Sequence, residues 1–422
     1  MAERTDGDES SETTKTMLVR LANTGRDAIA FKADGERHVL VNHPDYVKQV
    51  LMRTDRYSKD TPPNRFFKEE VADGLLTAEG TSWVHQRKLL APAFKAVAQM
   101  RSVAQVCADE MIARLETIAD TDQAVNLTAA ISEFTLAVTT RLLFGFRHES
   151  FSDQCESIGT LLSNANSVRP GSHRPIQELR EKLYTTIRNA KRERPSEAFP
   201  GLAWGELCKD EALSETALTE QIATLLLAGF ETTANSLTWA WIELIRHPEE
   251  YSEWQRALDD ELDTPFTDVL FKETLRLYPP AWIIGRRALV NDRVGGLTLA
   301  PGTVVAISPY LLQRHPRYWE RPDEFVIDRF AAGRGRPIHR YAYLPFGAGA
   351  RVCIGQVLAL HEASVLLSAL GARFRFSAAE TTDASPDHKF VLRAPETFLV
   401  KVRDRASGQM FRREQLQHQI SE

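Results

Sequence analysis

Apolar residues along this chain recur mainly at the spacing of amphipathic helices. From about residue 83 onward this helical period dominates the pattern. It predicts helices near residues 83–95, 97–118, 125–145, 154–165, 175–193, 216–247, 249–262 and 355–374. The run over 216–247 is the longest, and at 1.5 Å per residue it would span roughly 45 Å.

Short segments of strand character predict small sheets beside these helices. Strands are expected near residues 27–31 and 38–41, with a turn at Asp34-Gly35 between them and a helix from Asn42 onward. Residues 195–214 are polar and irregular, which predicts a surface connection. The remaining predicted strands lie near residues 287–290, 298–299, 304–307 and 389–402.

These elements predict a mostly α fold with small β-sheets, organised as a single domain around one continuous core. The acidic, polar N-terminus predicts a disordered tail over residues 1–18. The domain is expected over residues 19–405, followed by a C-terminal tail over 406–422.

The composition limits the class of protein. With 422 residues, of which 43% are hydrophobic, the chain can bury a large core. Its formal net charge of −5 argues against nucleic acid as a partner. The four cysteines are far apart and form no C-x-x-C pair, so we expect no disulfide or zinc site, and a reducing cytoplasm fits. Neither a signal peptide nor a membrane span is predicted.

One cysteine stands in a glycine-rich loop directly before a predicted helix. The loop runs from Pro345 to Gly355 (PFGAGARVCIG), with Cys353 near its end and Arg351 two residues earlier. A helix N-terminus offers free N–H donors and partial positive charge, which favour a thiolate. The glycines permit close approach to a flat ligand, and the arginine can bind a ligand carboxylate. The alternative is a buried structural cysteine in a turn.

The middle of the longest predicted helix contains poor helix formers. It reads AGFETT from Ala228 to Thr233, an acid followed by two hydroxyls within an apolar helix. A threonine hydroxyl can bond the carbonyl four residues earlier and bend the helix, and a small residue lets a ligand lie against the backbone. Proton delivery to a buried oxygen atom needs an acid beside a hydroxyl. The alternative is a helix kink with a solvated glutamate.

Two further pairs are spaced for one face of a helix. Glu273 and Arg276 are three residues apart on a helix that ends in an apolar segment, which predicts a buried ion pair. Trp83 and Arg87 place two donors one turn apart, where both can serve a carboxylate. Each pair alone is also typical of an exposed helix.

Taken together, these motifs resemble those of the cytochromes P450. The loop has every fixed position of that family's haem-binding pattern, Phe-x-x-Gly-x-Arg-x-Cys-x-Gly, from Phe346 to Gly355. The AGFETT segment is similar to the family's oxygen-activation motif. The resemblance implies the P450 fold over about residues 20 to 405. It also implies a buried structural cluster of Glu273, Arg276 and Arg329.

The resemblance implies a role for each site residue. Cys353 would be the axial ligand of the iron in haem b, iron protoporphyrin IX. Thr232 would hydrogen-bond iron-bound oxygen, Glu231 would relay protons, and Thr233 could share the role of Thr232. The other residues expected to contact the haem are Arg351, Trp83, Arg87, Phe346, Gly347, Gly349, Gly355, Ala228, Gly229 and one or both of Arg286 and Arg287.

The implied activity is that of a monooxygenase that uses O2 to oxidise, above all to hydroxylate, a hydrophobic or aromatic small molecule in bacterial secondary metabolism. Substrate would contact Thr61–Glu79, residues 162–180 and Ala281–Gly285, which include several apolar side chains. A carotenoid-like or terpenoid-like hydrocarbon, a peptide and an indole alkaloid are the candidates. Electrons would come from a ferredoxin or flavodoxin with its reductase. The basic patch expected to dock that donor comprises Arg334, Arg336, Arg340, Arg351 and Lys88.

Three alternatives stay open at this point. Some P450s form intramolecular C–N or C–C bonds instead of hydroxylating, and some use peroxide in place of O2. A haem-binding sensor or carrier without turnover belongs to a different class. The presence of both Glu231 and Thr232 favours oxygen activation.

Overall fold

The computed structural model describes residues 13–33, 35–146, 148–153, 174–192, 201–260, 265–333, 337–380 and 384–405. Helices hold 56% of the chain and the sheets are small, which confirms the predicted fold class. The chain divides into two compact units. The first comprises Met1–Thr61, Trp282–Asp323 and Pro337–Val352, and the second comprises Pro62–Ala281, Glu324–Arg336 and Cys353–Glu422.

The strands are short and scattered along the chain. In chain order they are β1 (Ala28–Ala33), β2 (Glu36–Val41), β3 (Tyr57–Ser58), β4 (Ala124–Asn126), β5 (Ile284–Ala288), β6 (Asp292–Val294), β7 (Leu297–Leu299), β8 (Val304–Ile307), β9 (Phe374–Ala378), β10 (Asp387–His388), β11 (Leu392–Arg393) and β12 (Leu399–Asp404).

The first unit is built on a five-stranded sheet in the order β1-β2-β8-β5-β3. β2 and β8 are parallel, and the other neighbours are antiparallel. Val39 and Val41 of β2 and Val305 and Ile307 of β8 are buried in its core, as expected for central strands. β6 and β7 form a separate hairpin. The helices of this unit are Thr14–Ala22, Pro44–Leu51 and Pro309–Leu312.

The second unit is mainly helical. β4, β12 and β9 form a three-stranded antiparallel sheet, and β10 pairs with β11. Its helices are Pro62–Glu70, Gly80–Leu90, Val97–Glu116, Leu127–Thr139, Arg174–Arg192, Leu202–Leu207, Glu215–Arg246, Pro248–Asp260, Pro265–Leu277 and Gln356–Arg373.

The helix Glu215–Arg246, called the long helix below, runs through the core of the second unit. Ser214 caps its start by accepting a hydrogen bond from the Ala217 N–H at 3.2 Å. Between Gln221 and Leu244 nearly every side chain is buried, as in a helix surrounded by others. Its strongest packing is against the helix Leu127–Thr139.

Most predicted elements have counterparts, with some corrections. The tail predicted over residues 1–18 extends too far towards the C-terminus, because a helix capped by the Thr13 hydroxyl begins at Thr14. The single helix predicted over 125–145 is three elements: β4, the helix Leu127–Thr139 and a π-helical turn at Thr140–Phe144. The irregular segment 195–214 contains the short helix Leu202–Leu207. The helix predicted at 154–165 lies outside the described residues.

Leu127–Phe144 is the one stretch within the described residues that is apolar and long enough to cross a membrane. Since 72% of it is buried inside the protein, it has the character of a core helix.

Candidate functional site

Cys353 lies in the turn just before the helix Gln356–Arg373. The backbone N–H groups of Gly355 and Gln356 donate hydrogen bonds to its sulfur. A Cβ atom built on Gly355 would lie 3.9 Å from Sγ and 3.8 Å from the ring of Phe94, which are ordinary van der Waals distances, so Gly355 packs beside the sulfur. The geometry is that of a sulfur held by the first N–H groups of a helix, where negative charge is stabilised.

Two opposing effects act on this thiol. Burial raises the pKa of Cys353, while the two N–H donors and the charge of Arg87 act to lower it. Cys353 as a residue is nevertheless exposed, although its thiol is desolvated by the surrounding protein. This combination is that of a residue at the edge of a recess, where a ligand to the sulfur fits.

Arg87 and Trp83 occupy one face of the helix Gly80–Leu90, and both are half-buried. Desolvation lowers the pKa of Arg87, and the nearby Cys353 is the charge that acts against this shift. Within the described part of the chain, no carboxylate lies within ion-pair distance of Arg87. A half-buried guanidinium without a protein anion is suited to bind an anionic ligand group.

The long helix is accessible at one point along its buried stretch. Ala228 is exposed, and Thr232, one turn later on the same face, is partly exposed, whereas Thr233 is only 6% exposed. The Thr232 hydroxyl donates to the Ala228 carbonyl at 2.9 Å, as the sequence allowed, and the helix continues without a break. Of the two threonines, Thr232 therefore faces the accessible side.

Gly229 has a different environment from Ala228. A Cβ atom at this position would lie 3.1 Å from Cγ2 of Thr139 on the neighbouring helix. Close packing of the two helices accounts for a glycine here, in addition to any contact with a ligand.

The carboxylate of Glu231 is held by Arg393, a residue that sequence reasoning missed. Arg393 Nε and Nη2 lie 2.8 Å and 2.7 Å from Glu231 Oε1, and both side chains are only 14% exposed. Asn235, one turn along the long helix, accepts from the Ala394 N–H at 2.7 Å and donates to the Glu231 carbonyl at 2.8 Å. The segment after β11 is thus bound to the long helix beside the acid.

The structure brings Glu273, Arg276 and Arg329 together in the second unit. Glu273 accepts from Arg276 Nε at 2.8 Å and Nη2 at 2.9 Å, from Arg329 Nε at 3.1 Å and from the Val326 N–H at 2.9 Å. Glu273 and Arg276 are fully buried. Arg276 also donates to the Glu324 carbonyl, so the cluster connects the helix Pro265–Leu277 to the segment around residue 325.

The loop before Cys353 belongs to the first unit as far as Val352. Gly347 and Gly349 have φ angles of +70° and +73°, which L side chains rarely adopt. At Gly349 a Cβ atom would also lie 2.3 Å from the Leu51 carbonyl oxygen. Phe346 and Arg351 in the same loop are partly buried. Both glycines are therefore required by the loop conformation itself.

Arg286 and Arg287 are neighbours on β5 with different surroundings. Arg287 forms an ion pair with Glu36 at 2.9 Å and donates to the carbonyls of Asp60 and Gly302. Arg286 is 6% exposed and donates to the Gly285 carbonyl at 2.8 Å. The N–H groups of Arg287 thus donate to residues of its own unit.

The segments expected to contact substrate divide into core and accessible residues. Phe67 is buried and stacks on Phe390, and Trp282 is also buried. Half-accessible apolar side chains include Phe66, Leu76, Ile283 and Ile284. The third segment, 162–180, is described only from residue 174, where a helix begins. The Tyr184 hydroxyl of this helix donates a hydrogen bond to the Val71 carbonyl.

The sequence profile of the family described as "Cytochrome P450" matches residues 9–198 and 176–402, nearly the whole chain. The chain belongs to the cytochrome P450 family. A solved structure, the haem domain of cytochrome P450DA, superposes with a TM-score of 0.81 over 93% of this chain and 92% of its own, at 23% identity. That likeness shows the P450 fold.

Curated P450s from Streptomyces are among the similar sequences. Cyclooctatin synthase of Streptomyces melanosporofaciens is 30% identical over 384 residues, covering 83% of both chains. Pentalenene oxygenase of Streptomyces avermitilis is 26% identical and covers 87% of this chain and 88% of its own. The P450 chain described here is an oxidoreductase of the monooxygenase class, in a family that binds haem and uses redox partners and hydrophobic substrates.

The residues of the second unit fit a haem with a thiolate ligand. Cys353 offers a thiol with N–H donors, and Arg87 offers a cation that would suit a propionate. Ala228 and Thr232 offer an accessible surface on the long helix of the same unit. Within the described ranges, no group of three or more His, Cys, Asp or Glu side chains is placed to hold a metal ion.

Proposed function

We propose that this P450 is a haem-thiolate monooxygenase that hydroxylates a terpene-like hydrocarbon or terpene alcohol. The single observation that carries the haem-thiolate assignment is the position of Cys353, an exposed residue whose sulfur interacts with the N–H groups of Gly355 and Gln356. The substrate class is supported by relatives that include pentalenene oxygenase and cyclooctat-9-en-7-ol 5-monooxygenase. The half-accessible apolar residues Phe66 and Leu76, in the same unit as Cys353, support it as well.

In this proposal, Cys353 binds the iron of haem b, and the N–H groups of Gly355 and Gln356 stabilise negative charge on the sulfur and so tune the iron. Arg87 and Trp83 bind one propionate through donors on one helix face. Arg351 and Arg286 belong to the first unit, where Arg287 is bound to Glu36 and to two carbonyls.

The haem, when bound, supplies the activation of O2. The protein contributes the proton path and excludes water. Thr232 presents its hydroxyl on the accessible face of the long helix. Glu231, one residue earlier, holds or releases a proton, and Arg393 fixes the position of its carboxylate. A carboxylate beside a hydroxyl can pass protons from solvent to the site one at a time.

The electron donor in this proposal is a ferredoxin or flavodoxin with its reductase. Lys88 and Arg340 are exposed and could contact an acidic donor surface, each on its own unit, whereas Arg334 and Arg336 lie outside the described residues. A cytoplasmic location fits the three described cysteines, Cys107, Cys208 and Cys353, which are all unpaired.

The ligand assignment is tested by replacing Cys353 with serine. The wild-type protein should show the red-shifted absorption band of a reduced, carbon-monoxide-bound thiolate haem, and Cys353→Ser should lose it. Cys208→Ser is the matched control, because Cys208 is also exposed and unpaired. A band that survives in Cys353→Ser would refute the assignment.

The proton path is tested by the coupling of electron consumption to product formation. Thr232→Ala should divert electrons to hydrogen peroxide, because the hydroxyl on the accessible face is removed. Thr233→Ala, with its buried side chain, should leave coupling unchanged. If Thr233→Ala uncouples the reaction and Thr232→Ala does not, the roles are reversed. The mass of the product separates hydroxylation, which adds one oxygen atom, from C–C or C–N coupling, which removes hydrogen.

A further inference from the structure

Two aromatic rings and a carboxylate form a series of contacting side chains in the second unit, apart from the residues assigned above. Trp239 of the long helix stacks on Tyr278, which follows the helix Pro265–Leu277. Their ring centroids are 3.9 Å apart and their planes differ by 1°. Aromatic pairs usually lie 4.5–7 Å apart. The Tyr278 hydroxyl donates to Oε1 of Glu243 at 2.8 Å, so an indole, a phenol and a carboxylate are in direct sequence.

Both ends of this series are shielded from water, whereas Tyr278 between them is partly exposed. Trp239 is fully buried, and its Nε1 has no hydrogen-bond partner. The Glu243 side chain is 5% exposed and is held by Arg246 Nη1 at 3.0 Å, while His247 Nδ1 lies 2.8 Å from the Glu243 carbonyl oxygen and 3.5 Å from the carboxylate. Leaving an indole N–H unbonded costs free energy, and phenylalanine would not carry that cost at this position.

Trp239, the first member of this series of side chains, lies close to the segment of the long helix that is proposed to activate oxygen. Trp239 follows Thr232 by seven residues, which is about two turns and roughly 10.5 Å along the helix axis. Seven residues also return to nearly the same face of a helix. The indole thus lies on the side of the long helix that carries Thr232.

We propose that Trp239, Tyr278 and Glu243 form a protective redox relay. This inference rests on the proposed function, because the oxidant is the oxidising equivalent that remains at the haem centre when O2 or peroxide is activated without substrate. Trp239 gives one electron to that centre and regains one from Tyr278 across the stacked rings. The oxidised phenol loses its proton along the 2.8 Å hydrogen bond to Glu243.

The balance of this step is one electron and one proton. Tyr278 becomes a neutral phenoxyl radical, Glu243 becomes a neutral carboxylic acid, and the haem centre is reduced by one electron. The relay returns to its starting state when an electron from the redox partner, or from a small reductant such as ascorbate, reaches the radical and the proton moves back. Each cycle removes one oxidising equivalent from the haem centre, so two cycles remove the pair that a peroxide or peracid delivers, and neither attacks the haem or nearby side chains.

The relay is tested by mixing the haem-loaded protein, without substrate, with a peracid and freezing it within milliseconds. Electron paramagnetic resonance should detect a tyrosyl radical in the wild type. Ring-deuterated tyrosine should narrow the signal, which identifies the radical as tyrosyl. Tyr278→Phe keeps the stacked ring but removes the hydroxyl, and it should lose the signal. Trp239→Phe should also lose it or form it more slowly.

The matched control is Trp241→Phe on the same helix. Trp241 is equally buried and its Nε1 is also unbonded. However, it meets Tyr251, Trp254 and Phe376 edge-on at 4.9–6.0 Å. The tyrosyl signal should persist in Trp241→Phe. Bleaching of the haem by peroxide should be severalfold faster in Tyr278→Phe than in the wild type or the control.

The outcomes separate this inference from the proposed function. The relay alone is overturned if all variants retain the thiolate-haem absorption band and Tyr278→Phe shows the same radical signal and the same bleaching rate as the wild type. Equal signal loss in Trp241→Phe and Trp239→Phe also overturns it. Absence of the thiolate band from the wild type overturns the proposed function instead, before the relay is reached.

Discussion

The buried cluster around Glu273 offers the sharpest test of the structure, because its energetic value depends on burial. We consider Glu273→Gln, which keeps the size of the side chain and removes its charge. Four donors converge on this carboxylate from Arg276, Arg329 and the Val326 N–H. The substitution leaves two guanidinium groups without their anion, and Arg276 has no access to water.

The expected magnitude follows from that burial. Removing one partner of a buried ion pair costs about 3–5 kcal/mol, because the remaining charge stays desolvated. The matched control is Glu116→Gln. Glu116 accepts from Arg373 Nε at 2.9 Å, but the two side chains are 44% and 34% exposed. An exposed pair of this kind contributes about 0–1 kcal/mol. Both substitutions thus remove the carboxylate of a Glu–Arg ion pair with nearly the same N–O distance, and the two pairs differ in burial.

The assay is urea unfolding monitored by tryptophan fluorescence, with equal haem loading of all proteins because bound haem itself stabilises the folded state. Glu273→Gln should move the midpoint to clearly lower urea with little change in slope, and Glu116→Gln should leave it nearly unchanged. Equal midpoint shifts in the two variants would refute the buried, charged arrangement that the structure shows.

Two further predictions concern single acids and their surroundings. Burial raises the pKa of Glu362 well above its ordinary value of 4.5, so the folded protein retains a proton that the unfolded chain loses. Stability should therefore fall as pH rises from about 4.5 towards the raised pKa, and Glu362→Gln should remove that contribution to the slope of the unfolding midpoint against pH; identical slopes would contradict it. Arg393→Met should release the Glu231 carboxylate and increase the solvent isotope effect on product formation, and Arg393→Lys should partly restore it. An isotope effect that is the same in all three proteins would show that Arg393 does not position the acid.

Much of the fold could be read from local patterns. The boundaries of the long helix were predicted within one residue at each end, since its apolar pattern continues over the whole length and Ser214 marks its start. The helix after Cys353 is similarly clear. The small elements are harder: the sequence predicts no helix at Pro62–Glu70, because its apolar residues are too few for a helical period.

The sequence by itself determined the chemical groups of the site and their spacing along the chain. Cys353 with its loop, Glu231 beside Thr232, and the Glu273–Arg276 pair each lie within one short segment, where backbone geometry alone sets their relation. The tertiary structure decided which of these groups are accessible and what holds them. Thr232 and Thr233 are the same residue type, and only packing around the long helix leaves Thr232 partly exposed and buries Thr233. Arg393 is 162 residues from Glu231, and no local pattern encodes a contact across that separation. Such contacts arise only when the folded core brings distant segments together, so their energies depend on burial that the linear sequence does not contain.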